Sequence, residues 1–477
     1  MAAPPSDSEY LTGWGGHLES EALPGALPRA QNNPQVCPYG LVAEQLSGTA
    51  FTVPRSMNLR SWLYRIRPSV GHSPYTLAEP EGRLLADFSS AAAANCTAEP
   101  NQLRWGPIPL PPPDKPVDFI RGLETVAGAG DAARKDGVAI HVYAVNSSMN
   151  SRAAFSNADG DMLIVPQLGT LVLKTEFGSL TVPPRSVVVV PRGIKFNVAL
   201  AAAGEGEGEG ERGAEGAGAR GYVLEIFKGH FTLPDLGPIG SNGLANPRDI
   251  KFPKAAYDDT EEATAEPWVL THKYMGQLFE ATAAHSPFNV VAWHGNYVPF
   301  LYCLEDFCCM NSVTYDHPDP SIYTVFTAPS DEPGTAVADF VIFPPRWMVQ
   351  ENTFRPPWYH VNVMSEYMGM IWGSYDAKVG FQPGGSSLHP CLTAHGPDAA
   401  TFAAASAAAL APTHFNSGLA FMFETGAMLR VSRRALAARN LDVDYHKCWD
   451  GIPVLFDAAR RDVEVEVEVP AEFAKRG

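Results

Sequence analysis

Six short apolar runs between residues 137 and 227 constrain the fold of this chain most strongly. They are "GVAIHVYAVN", "GDMLIVPQLG", "TLVLKTEFG", "SLTVPPRSVVVVPRG", "KFNVAL" and "RGYVLEIF", separated by Gly, Pro and polar residues. β-Branched and aromatic side chains lose rotamer freedom in a helix and pack well on a pleated surface, so these runs read as strands. Strands that recur about every ten residues layer into a sandwich or small barrel. The 42 prolines and 42 glycines among 477 residues argue against a helical bundle.

A second block repeats the pattern through "SPFNVVAWHGNYVPFLYCL", "SIYTVFTAP", "ADFVIFPPRW" and "MGMIWGSY". Two β-domains of similar type are therefore expected, residues 1–284 and 285–477, in a mainly β protein with few helices. Residues 1–75 read as an irregular N-terminal arm with short strands. The arm carries Trp14, Phe51, Trp62 and Tyr64, so it is expected to dock. Helices are expected at 116–126, at 398–410 ("DAATFAAASAAAL") and over "RRALAARN"; "RDVEVEVEVP" near the end alternates like an edge strand. Residues 201–220, "AAAGEGEGEGERGAEGAGAR", cannot bury enough apolar surface to order themselves and read as a flexible acidic insertion at a hairpin tip.

The net charge of -17 argues against nucleic acid or an anionic membrane as a partner. No apolar run approaches the ~20 residues that span a bilayer. The first residues lack the basic start and apolar stretch of a secretory signal. The cysteines (Cys37, Cys96, Cys303, Cys308, Cys309, Cys391 and Cys448) are odd in number and include no CxxC pair, so free thiols in a reducing, cytoplasmic setting are expected.

Of 13 histidines, His17, His72, His230, His272, His285 and His414 have no companions and read as structural. The interesting group is His294, His317, His360, His389 and His395, with Glu366. In "FRPPWYHVNVMSEYMG", His360 and Glu366 are six residues apart. On one straight strand they would share a face about 20 Å apart, and on a helix they would point different ways. They meet at one metal only if the chain bends between them, and "VMSEYMG" can supply the bend. Otherwise they are a hydrogen-bonded imidazole and a surface carboxylate. A third imidazole in "TAHGPD" completes a two-histidine, one-carboxylate set. That set suits non-haem Fe(II), although spacing alone leaves zinc open.

Much of the chain resembles the homogentisate 1,2-dioxygenase family. The resemblance is carried by "YLTGWGGHLESEALPGALPRAQNNPQVCPYGLVAEQLSGTAFTVPR", "LGPIGSNGLANPRD", "SPFNVVAWHGNY", "DHPDPSIYTVFTA", "FRPPWYHVNVMSEYMG", "GGSSLHP", "HGPDA" and "YHKCW". It implies paired cupin-like β-barrel or jelly-roll domains and a mononuclear Fe(II) held by His360, Glu366 and His395. It further implies His294 as acid/base, and Tyr375, His389 and His395 beside the substrate, with Arg355 supporting the site or the substrate carboxylate. Homogentisate and O2 would be the substrates, tyrosine and phenylalanine catabolism the setting, and a trimer-based hexamer the assembly.

"HVNVMSE" resembles the cupin pattern H-x-H-x3-E with Asn362 at the second histidine. In the N-terminal block "PRGIKF" places Phe196 where an active cupin has histidine, so that domain is expected to be structural. Ser374 stands where the resemblance leads one to expect a histidine. The insertion and the tail beyond 449 depart from the family pattern. Three other readings compete: a Mn or Zn cupin enzyme, which usually keeps the second histidine; a non-catalytic storage cupin, expected to lose its ligands; and a gentisate- or hydroxyanthranilate-type dioxygenase, without the long N-terminal matches.

Overall fold

The six runs form seven strands, "SLTVPPRSVVVVPRG" supplying Gly178–Val182 and Ser186–Val190, and their burial explains why some alternate and others do not. The computed structural model describes residues 9–78, 83–92, 94–201, 218–235, 243–258, 266–315 and 322–459. Ser186–Val190 is buried at every position, because its sheet is covered on both faces; Leu171–Thr175 alternates buried and half-buried side chains. A ten-stranded sheet runs through Ser186–Val190, Asp161–Leu168, Ala219–Ile226, Asp136–Val145 and Leu123–Asp131 at its centre. A seven-stranded sheet, which includes Leu171–Thr175 and Phe196–Leu200, shares one continuous apolar core with it. The fold is mainly β with jelly-roll-like layering, but the sheets are open in strand order and not closed barrels. The ten-stranded sheet ends on Tyr10–Thr12 and Cys96–Ala98, strands of three residues each, which leaves little free edge.

The third large sheet carries the site. Its order is Tyr323–Pro329, Ala336–Phe343, Gly418–Thr425, Ser365–Gly373, Ser386–His389 and Leu103–Trp105. The Tyr222 hydroxyl donates to the Gly385 carbonyl (2.8 Å) and Gln167 Nε2 to that of Ile371 (3.0 Å), tying this sheet to the ten-stranded one. The strands immediately past residue 285 pair backward. Val290–Gly295 lies between Leu18–Glu21 and Arg60–Arg65, and Phe300–Cys303 pairs with Ser186–Val190. The arm docks through Trp14, edge-on to Phe300 at 4.8 Å, and through buried Tyr64, whereas Phe51 is 75% exposed.

The expected helices are shorter than read. At 116–126 a single turn forms, Phe119–Gly122, capped by Asp118; Leu123 onward turns into strand because buried Leu123, Thr125 and Ala127 pair with Asp136–Val145. The alanine-rich helix is Ala399–Ser406, and the last is one turn, Arg433–Leu436. Most of the acidic insertion, the "VEVEVE" tail and His317 lie outside the described residues. All seven cysteines are free, and no helix among the described residues is long and apolar enough to cross a membrane. At the cupin histidine position of the first block, Phe196 packs edge-on against Phe155 at 5.4 Å, so carbon fills the place of an imidazole.

A buried ionic cluster lies within the N-terminal layers. Lys273 Nζ donates to Asp159 Oδ2 (2.7 Å) and to both Glu225 oxygens (2.8 and 2.9 Å), and His141 Nε2 meets Glu225 at 2.9 Å. Glu225 is completely buried. Such a charge persists only where its acceptors are filled, here by Lys273, His141 and Asn157 Nδ2 at 2.6 Å.

Candidate metal centre

Three separate chain segments bring the site together. Glu366 lies near the start of strand Ser365–Gly373, directly opposite His389 on Ser386–His389. His360 precedes that strand and forms an isolated antiparallel bridge with His395: His360 N–H donates to the His395 carbonyl (2.9 Å) and His395 N–H to the His360 carbonyl (3.1 Å). The required bend lies at Val363–Met364. Asn362 Oδ1 accepts the Met364 N–H (3.0 Å), a local side-chain turn that reverses the chain between the two residues. Gly396 permits the bridge, since a Cβ there would lie 2.8 Å from Tyr359 Cα.

The tautomers follow from the outer hydrogen bonds. His360 Nδ1 faces the Trp358 carbonyl at 2.7 Å and His395 Nδ1 the Thr393 carbonyl at 2.9 Å. A carbonyl only accepts, so both Nδ1 atoms carry hydrogen and both Nε2 lone pairs point inward. There Nε2 of His395 is 2.9 Å from Glu366 Oε2, and Nε2 of His360 is 3.5 Å from Oε1. Lone pairs converging on a carboxylate demand a shared cation, either extra protons or a metal. Among the described residues His360, Glu366 and His395 are the group able to hold a metal, with ligand atoms within 4.8 Å of one another. Burial opposes the charge on Glu366, but the imidazoles of His360, His389 and His395 hold its pKa well below the ordinary value. Burial likewise opposes protonation of His360, yet Glu366 and the Trp358 carbonyl raise its pKa.

The group opens into a cavity of about 310 Å³. Phe343, Met368, Met422 and Tyr375 give it an apolar side, and Asn362, Lys378, His389 and Glu424 a polar one. Asn362 Nδ2 bridges Glu366 Oε1 (2.9 Å) and Glu424 Oε1 (3.1 Å), so the residue at the second histidine position of the motif braces the Glu366 carboxylate. Burial and the Glu366 charge push Glu424 up to about 7.

A family model described as "Homogentisate 1,2-dioxygenase N-terminal" matches residues 9–304, and one described as "Homogentisate 1,2-dioxygenase C-terminal" matches 305–456. The chain belongs to the homogentisate 1,2-dioxygenase family. It is 53% identical over 447 residues to the homogentisate 1,2-dioxygenase of Oryza sativa subsp. japonica, covering 93% of this chain and 91% of that protein. To the enzyme of that name in Dictyostelium discoideum it is 53% identical over 457 residues, 95% of this chain and 99% of the other. A solved Bacillus subtilis oxalate decarboxylase covers 74% of this chain and 82% of its own at 13% identity, but its TM-score of 0.26 is too low to bear on the fold.

In this homogentisate 1,2-dioxygenase family member, Tyr375, His389 and His395 line the cavity, whereas His294 and Arg355 are not among its lining residues. His294, on Val290–Gly295, has Nε2 3.2 Å from the Tyr64 hydroxyl; burial and nearby His17 lower its pKa, so it is neutral at neutral pH. The Arg355 guanidinium donates to the Gln350 and Ala411 carbonyls, at 3.0 and 2.6 Å, and clamps a loop. Ser374 bonds Ser417 at the end of its strand, also away from the lining. The sequence reading missed Lys378, Glu424 and Tyr445. "YHKCW" was the only signal for Tyr445, and nothing in it specified a position beside His389.

Proposed function

We propose that this chain cleaves the aromatic ring of homogentisate with O2, using Fe(II) held by His360, Glu366 and His395. The observation that carries this is the convergence of two Nε2 lone pairs and one carboxylate inside a cavity, in a chain of this family. Both atoms of O2 enter the product as the ring opens between the acetate-bearing carbon and its hydroxylated neighbour, giving maleylacetoacetate. When bound, Fe(II) supplies Lewis-acid polarisation of the phenol and a path for electrons to dioxygen. One carboxylate and two neutral imidazoles offset only part of the metal charge and leave the cavity side open to the substrate. Phe343, Met368 and Met422 exclude water and bracket the ring, while Tyr375 and His389 orient its oxygens. The test is anaerobic Fe(II) loading, then oxygen uptake with homogentisate against gentisate. Uptake with homogentisate and absorbance of the ring-opened product are expected; uptake with gentisate alone would refute the assignment.

The acid/base role falls to His294 delivered by a second copy. This reading is supported by its absence from the cavity lining of its own chain and by apolar Val361, Val363 and Leu392, exposed beside the metal segment as a partner would cover them. It is consistent with a homo-oligomer, a trimer-based hexamer in a cytoplasmic setting. His294 Nε2 would take the phenolic proton. His294→Phe should keep its iron and lose roughly 10²-fold in turnover. Oligomers mixed from His294→Phe and His360→Ala chains should recover activity that neither parent has, since each supplies what the other lacks. Full activity of His294→Phe alone would remove His294 from the chemistry.

A further inference from the structure

Lys378 is buried in the cavity wall. Its Nζ lies 2.8 Å from His389 Nε2 and 2.7 Å from the Tyr445 hydroxyl, and that hydroxyl lies 3.0 Å from the same Nε2. An ammonium only donates. If Lys378 donates to Nε2, the imidazole nitrogen accepts. If Lys378 donates to the Tyr445 oxygen, the phenol proton is turned toward Nε2, which again accepts. Burial keeps the phenol proton on Tyr445 and pushes Lys378 down to about 8, which leaves it protonated at neutral pH. Both arrangements leave the one imidazole proton on Nδ1.

Nδ1 of His389 has no hydrogen-bond partner, although His389 is only 1% exposed. It sits 3.7 Å from Glu366 Oε2, too far for a hydrogen bond. The ring cannot readily turn away, because it stacks on His395 at 4.3 Å and 8°. A buried donor left unpaired is costly and calls for a ligand acceptor.

We infer that Lys378 is a positioning residue that acts through His389, keeping its Nδ1–H directed into the cavity to bind an oxygen of a hydroxylated aromatic acid. The inference rests on the proposed homogentisate reading and assigns the donor for one substrate oxygen. Tyr445 completes the relay from the segment Tyr445–Trp449, held in place by Arg104, whose guanidinium lies 4.7 Å from the Tyr445 ring centre and pairs with Asp442 at 2.7 Å.

The experiment measures iron content and anaerobic homogentisate affinity in the iron-loaded full-length protein and its Lys378→Met, His389→Phe and double variants. Parental iron content is expected throughout, with substrate affinity weakened roughly 10- to 100-fold in each single variant. The double variant should be no weaker than His389→Phe, because Lys378 has nothing left to orient. Unchanged affinity in Lys378→Met, or losses that multiply in the double variant, would overturn the inference. Should Lys378→Met not fold, His389→Phe still decides, since parental affinity there removes the donor. Failure of the parent protein itself to bind homogentisate would instead bring down the substrate reading.

Discussion

Glu366→Ala and His360→Ala proteins should emerge from purification folded but without iron, and with ring cleavage reduced by more than about 10³-fold. Outer hydrogen-bond partners of a metal ligand are commonly worth ~10–100-fold in affinity, and a ligand itself more. Glu366 is the only carboxylate in the group of three, so its removal takes away the one charge that directly offsets the cation. What remains are neutral imidazoles whose orientation is still set by the Trp358 and Thr393 carbonyls. The scaffold should survive. The strand is anchored by buried Tyr367, Met370 and Ile371 and by its pairing with Gly418–Thr425, neither of which passes through the carboxylate. Metal analysis by mass spectrometry alongside circular dichroism separates loss of iron from loss of fold. Parental iron in both variants would end the ligand assignment.

Lys273→Met is expected to destabilise the N-terminal layers by about 3–5 kcal/mol, a value typical of leaving a buried charge uncompensated. Methionine replaces the lysine stem as far as Cε but cannot neutralise Asp159 and Glu225, which are 3% and 0% exposed. The substitution should lower the melting temperature by several degrees and reduce soluble yield, while iron binding in the surviving folded fraction stays parental. The same cluster sets an acid limit. Burial opposes the Glu225 charge, but Lys273 and His141 bring its pKa from 4.5 to about 2. A depressed carboxylate contributes stability that is complete above its unfolded value and lost as pH falls through its folded one, here between pH 4.5 and about 2. In Lys273→Met the folded pKa of Glu225 rises, so this contribution shrinks and stability should fall less steeply with acid over that window, visible in acid unfolding curves. A melting temperature unaltered by the substitution would show that the cluster is not holding these layers together.

Legibility differed from one element to the next for physical reasons. The six runs were readable because β-branched crowding and turn residues are local properties, even though Ala219–Ile226 pairs with Asp161–Leu168 and Asp136–Val145 far earlier in the chain. The start of Leu123–Asp131, up to Val126, was mistaken for the rest of a helix because its strand character lies in burial against the sheet, which its own residues do not display. Arg355 was assigned to the site from its motif, but its nearest acceptors are backbone carbonyls that only the loop path brings close. His294 lies in an equally specific motif and pairs with arm strands from the chain's beginning.

By itself the sequence determined the β class and the family, and through the resemblance it pointed to His360, Glu366 and His395 as one group, since residue type and motif are written in the chain. It also set a geometric condition, that the chain turn between His360 and Glu366, which the Asn362 turn meets. The tertiary structure decided the rest: the His360–His395 bridge, the pairing of Glu366 opposite His389, and the Lys378–His389–Tyr445 relay. Those depend on segments tens of residues apart, whose approach is fixed by sheet register and core packing and not by any local preference.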